Sequence, residues 1–430
     1  MPLMTRTTRS TERELRRRRR PPRAKPVRDG ESGPAAVPAP AVSAASYDCV
    51  ALVLQGGGAL GSYQCGVYEA MHAGGLRPDW VAGVSIGAIN AAIIAGNAPE
   101  HRVERLRAFW ESICEPLGIG APIAAGVRRL LEISPSIPGL HAWAHSLGAL
   151  GALVLGQQGF FHPRLSSPLL FDDGSARATS FYDPTPLRAT LQEHIDFDRI
   201  NAPGGVRLSV GVTSVTSGNL RYFDSSQERI GPEHLMASGA LPPAFPAVEI
   251  DGEHYWDGGL ASNTPLDHVL SAQPRRDSLV LQVDLWSARG RLPRTIGDVL
   301  DRQKDVQYSS RTRLNTDTTT QLHRLRHAVH ALLQAAPPES IDPSVLRQLR
   351  ASACDRVFNI VHLIYEAKPY EEQFKDYAFG LGTMREHWAA GRADMEKTLA
   401  HPVFFVKPSR EASVVTHDVH RAVAAHAGAR

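Results

Sequence analysis

The chain of 430 residues is long enough for one large domain or two ordinary ones, and its 43% hydrophobic and 21% charged residues are typical of a globular protein. The formal net charge of +3 is small, and residues 1–46 carry eleven arginines and lysines against four acids, so the basic character belongs to the N-terminus. Four cysteines without CxxC pairing or zinc-like spacing argue against a disulfide framework or a zinc site and favour a reducing compartment.

Residues 1–46 are predicted to form a disordered basic tail. Five consecutive arginines at 16–20 are followed by a stretch rich in proline and alanine, which lacks the apolar core of a secretion signal. The apolar window at 147–156 is too short to cross a bilayer as a helix, although it could lie on a membrane surface. We expect a cytoplasmic protein, with peripheral membrane contact as an alternative. The tail is interpreted as a solubility tail that could bind anionic lipid, and nucleic acid is not the expected partner.

Order is predicted to begin with two successive strand–turn–helix units. The apolar run CVALVL at Cys49–Leu54 breaks into QGGGALG and resumes as the helix-like SYQCGVYEAMHAGG. The run WVAGV at Trp80–Val84 is followed by SIGAINAAIIAGN, which repeats the same order. Two consecutive βα units predict a parallel sheet that is buried on both faces.

Ser85 stands at the turn of the second unit, in the G-x-S-x-G sequence GVSIG. Such a turn forces the serine into a strained conformation that exposes its Oγ, and the crowding two residues away on either side requires Gly83 and Gly87. The helix that begins at Ile86 points its N–H groups at the space above Ser85, where they favour negative charge. Taken alone, the motif could also be a tight turn without chemistry.

The glycine loop after the first strand offers a second element of the same chemistry. The backbone N–H groups of Gly57 and Gly58 could approach an oxyanion without side chains in the way. The loop also fits G-x-G-x-x-G through Gly56, Gly58 and Gly61, but a dinucleotide fold needs an acid at the end of the second strand. Asp79 precedes that strand instead, so no nucleotide cofactor is expected.

A nucleophilic serine needs a base, and the residues leave two choices open. One is a later histidine that completes a Ser–Asp–His triad, with His268 as the first candidate. The other is Asp257 in WDGGLASNTPL, which ends a strand, precedes the turn formers Gly258 and Gly259, and has no bulky neighbour in sequence. An aspartate with the ordinary pKa of about 3.9 is a weak base, so the site must desolvate it or hold a short Ser–Asp hydrogen bond.

The rest of the chain divides into regions with different sequence patterns. Residues 115–180 have scattered Gly and Pro and predict a cap or insertion, whereas 206–215, 220–225 and 278–286 predict strands. Beyond about 290 the pattern becomes helical, with a stripe predicted to bury one helix face, formed by Leu322, Leu325, Val329 and Leu332. The segment at 356–367 is predicted to be a further strand that could join the same sheet.

Three histidines and one cysteine receive structural interpretations. His323, His327 and His330 share one face of a predicted helix, but no acid or cysteine joins them and neighbouring arginines oppose a cation. We therefore expect a solvated polar face and no metal site. Cys65 is expected to serve packing rather than catalysis.

The motifs GGGALG, then GVSIG about twenty-five residues later, then DGG preceding ASNTPL, resemble the patatin-like phospholipase family over residues 49–286. The resemblance implies an α/β fold, a three-layer α/β/α hydrolase with a mainly parallel central sheet, at residues 47–290. It also implies that residues 236–252 wall an acyl pocket. Residues 291–430 are predicted to be a mostly helical extension, similar to one found on some bacterial members.

The resemblance further implies a Ser–Asp dyad, with Ser85 as nucleophile and Asp257 as proton acceptor. The oxyanion hole would comprise Gly56, Gly57, Gly58 and the Ile86 N–H, supported by the motif glycines Gly61, Gly83, Gly87, Gly258 and Gly259. No cofactor or metal is implied, and the expected substrates are lipids or other fatty acyl esters. Leu60 departs from the basic residue frequent in the family, which leaves phospholipid preference open. The rival interpretations are a triad esterase and a non-catalytic scaffold anchored to membrane or nucleic acid by residues 16–20.

Overall fold

The computed structural model describes residues 44–114, 156–335, 337, 340–366 and 375–419, without the side chains of 310–316. Residues 1–43 of the predicted basic tail therefore lie outside the described residues, as do residues 115–155 of the predicted cap. None of the helices in these ranges has an apolar stretch long enough to cross a bilayer.

The strands are β1 Cys49–Leu54, β2 Trp80–Val84, β3 His162–Pro163, β4 Tyr182–Asp183, β5 Arg207–Ser214, β6 Leu220–Asp224, β7 Val248–Ile250, β8 Glu253–Asp257, β9 Ser278–Asp284, β10 Phe358–Ile364 and β11 Val414–Asp418. The helices are α1 Ser62–Ala73, α2 Ile86–Ala95, α3 Arg102–Cys114, α4 Ala176–Thr179, α5 Thr185–His194, α6 Phe197–Ile200, α7 Pro232–Ser238, α8 Leu266–Ser271, α9 Ile296–Ala335, α10 Pro343–Ser352 and α11 Leu381–Leu399.

One large sheet runs through the described residues in the order β11-β10-β9-β1-β2-β5-β8-β7, with β6 also paired to β5. The pairs from β11 to β5 are parallel, whereas β6, β7 and β8 add antiparallel pairs at the other side. The parallel strands are buried on both faces, which is why β1, β2 and β9 read as continuous apolar runs.

Helices cover both faces of this sheet. On one face, Val50, Leu52 and Leu54 of β1 pack in a core that includes side chains of α1, α2, α3 and α11. On the other face, Ala51 and Val53 pack in a core that includes apolar side chains of α8. Alternate residues of β1 thus serve opposite cores, and the fold is a three-layer α/β/α sandwich with a mainly parallel sheet, as predicted.

The C-terminal region contributes strands to the central sheet as well as adding helices. Phe358–Ile364 pairs in parallel with Ser278–Asp284 along its whole length, which confirms the strand predicted at 356–367. The strands predicted at 206–215, 220–225 and 278–286 are confirmed too. The domain boundary near residue 290 stays a prediction.

The sequence analysis predicted the wrong buried face for the long helix α9. Leu325 and Leu332 of the expected buried stripe are 64% and 66% exposed, whereas His323, expected to be solvated, is 1% exposed. His323 Nε2 lies 2.8 Å from the Arg356 carbonyl oxygen, and its ring packs edge-on against Phe358. The backbone carbonyl supplies the polar partner that lets this histidine face the sheet, so the leucines turn outward.

Candidate active site

Ser85 occupies a sharp turn between β2 and α2, with φ 55° and ψ −127°. A positive φ is rare for a residue with a side chain and is retained where the surrounding structure enforces it. A Cβ at Gly83 would collide with the Gly87 carbonyl, and one at Gly87 would collide with the carbonyls of Leu54 and Gln55. The two flanking glycines therefore lie where the backbone leaves no room for a side chain.

The strained turn is held by a residue that the sequence interpretation missed. The Ser85 N–H donates to Ser238 Oγ at 2.9 Å, and Ser238 Oγ donates to the Gly211 carbonyl at 2.7 Å. Ser238 is fully buried at the end of α7. It lies in the segment MASGALPP, which the sequence analysis predicted only to wall the acyl pocket. The sequence thus singled out this segment but gave Ser238 no role of its own.

Strand register carries Asp257 toward Ser85. Val84, directly before the serine, pairs with Gly211 of β5, and the next residue of β5, Val212, pairs with Asp257 of β8. The ends of β2 and β8 thus meet beside the same part of β5. The Ser85 hydroxyl donates a hydrogen bond to the Asp257 carboxylate, which also accepts from the Gly259 N–H at 2.7 Å.

The electrostatic state of Asp257 is set mainly by burial. Its side chain is shielded, with the residue only 4% exposed, although the sequence shows no bulky neighbour. Burial raises the pKa of Asp257 to about 6, while the hydrogen bonds from Ser85 and Gly259 act in the opposite direction. A carboxylate with this pKa is a stronger base than an exposed aspartate and is still ionised at neutral pH.

The glycine loop lies beside this pair. Gly57, Gly58 and Ile86 line the same cavity as Ser85. Gly56 is held differently, because its N–H donates to the Asn263 carbonyl at 3.2 Å. Its carbonyl accepts from Asn263 Nδ2 and from Trp286 Nε1, each at 2.9 Å. Gly56 therefore anchors the loop, and its own N–H is already bonded to the Asn263 carbonyl.

Two further residues of the loop have packing roles. Leu60 is fully buried in the core, so its side chain faces the interior of the protein. A Cβ at Gly61 would press on the Ile86 and Trp110 side chains. Position 60 thus provides an apolar contact in the core, where a basic residue is frequent in the family.

The cavity above Ser85 has a volume of about 90 Å³, and seven of its nineteen lining residues are aromatic. Leu241 and Phe245 border it, as expected for the segment 236–252. The C-terminal region also contributes, which the sequence interpretation did not foresee. Besides the catalytic candidates and the glycine loop, the main lining side chains are Ile89, Phe160, Phe161, Trp286, Tyr308, Asp376, Tyr377 and Phe379.

His268 makes its contacts elsewhere. Its Nε2 lies 3.2 Å from Ser209 Oγ and 3.3 Å from Asp224 Oδ2, and its ring stacks on Tyr222. No histidine is among the described residues that line the cavity. The structure therefore does not bring His268 to Ser85.

Cys65 lies inside the core between α1 and α2. Its Sγ is 3.5 Å from Asn90 Oδ1, and burial raises the pKa of the thiol well above its usual value. A buried thiol that resists ionisation is a poor nucleophile, which agrees with the expected packing role. Across the described residues, no group of three His, Cys, Asp or Glu side chains is arranged to hold a metal ion.

Comparisons with known proteins identify the family of the chain. Residues 52–270, just over half of the chain, match the family model described as "Patatin-like phospholipase", and residues 306–411 match a second model described as "Patatin phospholipase". No curated protein matches the chain at a significant level. The crystal structure of VipD from Legionella pneumophila is 14% identical, covers 89% of this chain and 74% of its own, and has a TM-score of 0.36. At that score the likeness to VipD supports no conclusion about this chain.

Proposed function

The chain belongs to the patatin-like phospholipase family and is a lipid acyl hydrolase, and we propose that it cleaves fatty acyl esters through a Ser85–Asp257 dyad. The observation that carries the proposal is the hydrogen bond from the Ser85 hydroxyl to a buried carboxylate with a raised pKa. A nucleophile in contact with a base of suitable pKa is the arrangement that acyl transfer requires.

In the first half of the reaction, Asp257 accepts the Ser85 proton as Oγ attacks the ester carbonyl carbon. The carbonyl π electrons move to oxygen, and the N–H groups of Gly57, Gly58 and Ile86 stabilise that oxyanion. Collapse of the tetrahedral intermediate breaks the bond to the alcohol oxygen. Asp257 returns its proton to the leaving alcohol, which leaves an acyl-serine.

In the second half, Asp257 removes a proton from water, whose oxygen attacks the acyl-serine carbonyl. The same N–H groups stabilise the second oxyanion. Release of Ser85 Oγ, which regains the proton from Asp257, yields the free fatty acid. A single carboxylate can serve both halves because it ends each half in the state in which it began.

The cavity and its surroundings support fatty acyl substrates and contact with a lipid surface. Seven aromatic side chains line the cavity together with Ile86, Ile89 and Leu241, as suits an apolar chain. The segment between two lining residues, Trp286 and Tyr308, exposes Leu292 and Ile296 at 89% and 77%. Exposed arginines at 289, 291 and 294 interleave with these side chains, a combination that suits an anionic membrane surface.

The dyad is tested by treating the protein with a fluorophosphonate and locating the adduct by peptide mass spectrometry. We expect labelling at Ser85 that is lost in Ser85→Ala and strongly slowed in Asp257→Asn. His268→Gln serves as the control and should label like the unaltered protein. Equal labelling in Asp257→Asn, or loss of labelling in folded His268→Gln, would refute the dyad.

A further inference from the structure

The segment at residues 375–379 lies on the wall of the cavity, against the glycine loop. Asp376, Tyr377 and Phe379 line the same cavity as Ser85 and Asp257. The contact is close, because a Cβ at Gly58 would collide with the Asp376 carbonyl. A segment nearly three hundred residues from Ser85 in sequence therefore borders the reacting atoms.

Two crossed ion pairs fasten this segment to α9. Lys304 Nζ lies 2.8 and 2.9 Å from the two Asp376 carboxylate oxygens, and Lys375 Nζ lies 2.7 Å from Asp305 Oδ1. Two adjacent residues of α9, Lys304 and Asp305, thus pair with two adjacent residues of the segment, Asp376 and Lys375. Each element contributes one cation and one anion. The arrangement fixes both the position and the direction of the segment.

One of these pairs is costly to break. The Lys375 side chain is only 4% exposed, and its ammonium lies 5.1 Å from the centre of the Trp286 ring. A buried ammonium that loses its carboxylate partner is left uncompensated, which is strongly unfavourable. The segment is therefore held as part of the cavity.

Aromatic rings complete the wall. Phe379 packs against Phe160 and Trp110, with ring centres 6.1 and 6.4 Å apart, and Trp286 packs against Tyr308 at 5.1 Å. Rings packed against one another resist displacement, so the space left for an apolar chain is set by their size. With about 90 Å³ of cavity, removal of one ring changes that space by a large fraction.

From these contacts we propose that residues 375–379, clamped to α9, form a specificity-determining wall that limits the length of the acyl chain. The proposal rests on the proposed function for the identity of the ligand, a fatty acyl chain. It gives the C-terminal region a direct role at the active site. The simpler alternative is that the ion pairs only tether this region to the sheet.

A binding measurement tests the wall without requiring catalysis. Fatty acids from octanoate to palmitate are titrated into the full chain carrying Ser85→Ala, alone and combined with Phe379→Ala. We expect Phe379→Ala to raise the affinity ratio of palmitate to octanoate by about tenfold, since small changes in an apolar pocket have effects of this size. Phe404→Ala, an equally buried phenylalanine of the C-terminal region that does not line the cavity, is the control and should leave the ratio unchanged.

The clamp is tested in the same assay through Lys304, which does not line the cavity. Lys304→Met should shift the ratio in the same direction as Phe379→Ala, whereas Lys304→Arg should retain the original ratio because it preserves the ion pair. An unchanged ratio in folded Phe379→Ala overturns the wall, whatever the enzyme hydrolyses. A shifted ratio supports the wall even if fluorophosphonate labelling refutes the dyad. Failure of the wall and failure of the dyad therefore give different results.

Discussion

The Ser85 hydroxyl is hydrogen-bonded to the Asp257 carboxylate in a site that excludes the aspartate from water. The burial that raises the pKa of Asp257, as the proposed role of base requires, also destabilises its charged form, and the hydrogen bonds from Ser85 and Gly259 offset only part of that effect. Catalytic competence and folding stability are therefore coupled at one side chain.

The first prediction concerns the pH dependence of hydrolysis. Because Asp257 must be ionised to accept the Ser85 proton, kcat/KM should rise with pH through about 6 and then level off. The profile is measured with a soluble p-nitrophenyl ester from pH 4.5, about one and a half units below that pKa, to pH 8, about two units above it. A profile that is flat across this interval would exclude Asp257 as the titrating base.

The second prediction concerns stability. An acid whose pKa is higher in the folded chain than in the unfolded chain lowers stability above the folded value and has no effect below the unfolded one. A rise from 3.8 to about 6 corresponds to about 3 kcal/mol. Asp257→Asn should therefore increase the unfolding free energy at pH 8 by up to that amount, and the gain should shrink toward pH 4.

Chemical denaturation at the two pH values checks this difference. Asp172→Asn, an exposed aspartate, is the control and should show no pH-dependent gain. If Asp257→Asn were less stable than the unaltered protein at pH 8, the burial cost assigned to the carboxylate would be wrong.

The third prediction assigns Ser238 a positioning role. Ser238→Ala removes the acceptor of the Ser85 N–H, so the strained turn loses a constraint that aligns Oγ with Asp257. We expect kcat to fall by about ten- to a hundredfold with little change in KM, because misplaced reacting groups affect the chemical step. Steady-state kinetics measure this split. An unaltered kcat accompanied by lowered stability would reduce Ser238 to a purely structural residue.

The fourth prediction concerns the exposed start of α9. Protein carrying Ser85→Ala should sediment with vesicles that contain phosphatidylglycerol, and Ile296→Asp should weaken this binding by about tenfold through loss of apolar contact and added repulsion. Leu325→Asp is the matched control on the same helix, about 44 Å along its axis. Equal binding by both variants, or self-association in place of vesicle binding, would contradict contact through this surface.

Local patterns were enough to predict the parallel strands and the turn at Ser85, whereas Asp257 was one of two candidate bases until the family resemblance favoured it. The strands and the turn each depend on residues close in sequence, such as the glycines that flank Ser85 or the apolar run before it. Ser238, Asn263 and Trp286 reach the site from distant segments, and their roles follow from strand register, which the sequence does not display. Tyr377 and Phe379 are further removed still, since they reach the cavity through the pairing of Lys304 with Asp376.

The error on α9 has a similar origin. Leucine spacing identified the helix correctly, but a periodic stripe does not say which side meets the sheet. His323 could turn inward because the Arg356 carbonyl lies opposite its ring nitrogen. That partner is invisible in a local pattern, so the apolar face was assigned to the interior by default.

The pairing of β10 with β9 has a consequence for how the protein is made. Strand β9 cannot have both of its neighbours until Phe358–Ile364 has left the ribosome. A nascent chain or a protein truncated near residue 290 would present Ser278–Asp284 as an open apolar edge, ready to pair with another copy. We expect such a truncated protein to aggregate, because it lacks the strand that covers this apolar edge in the full chain.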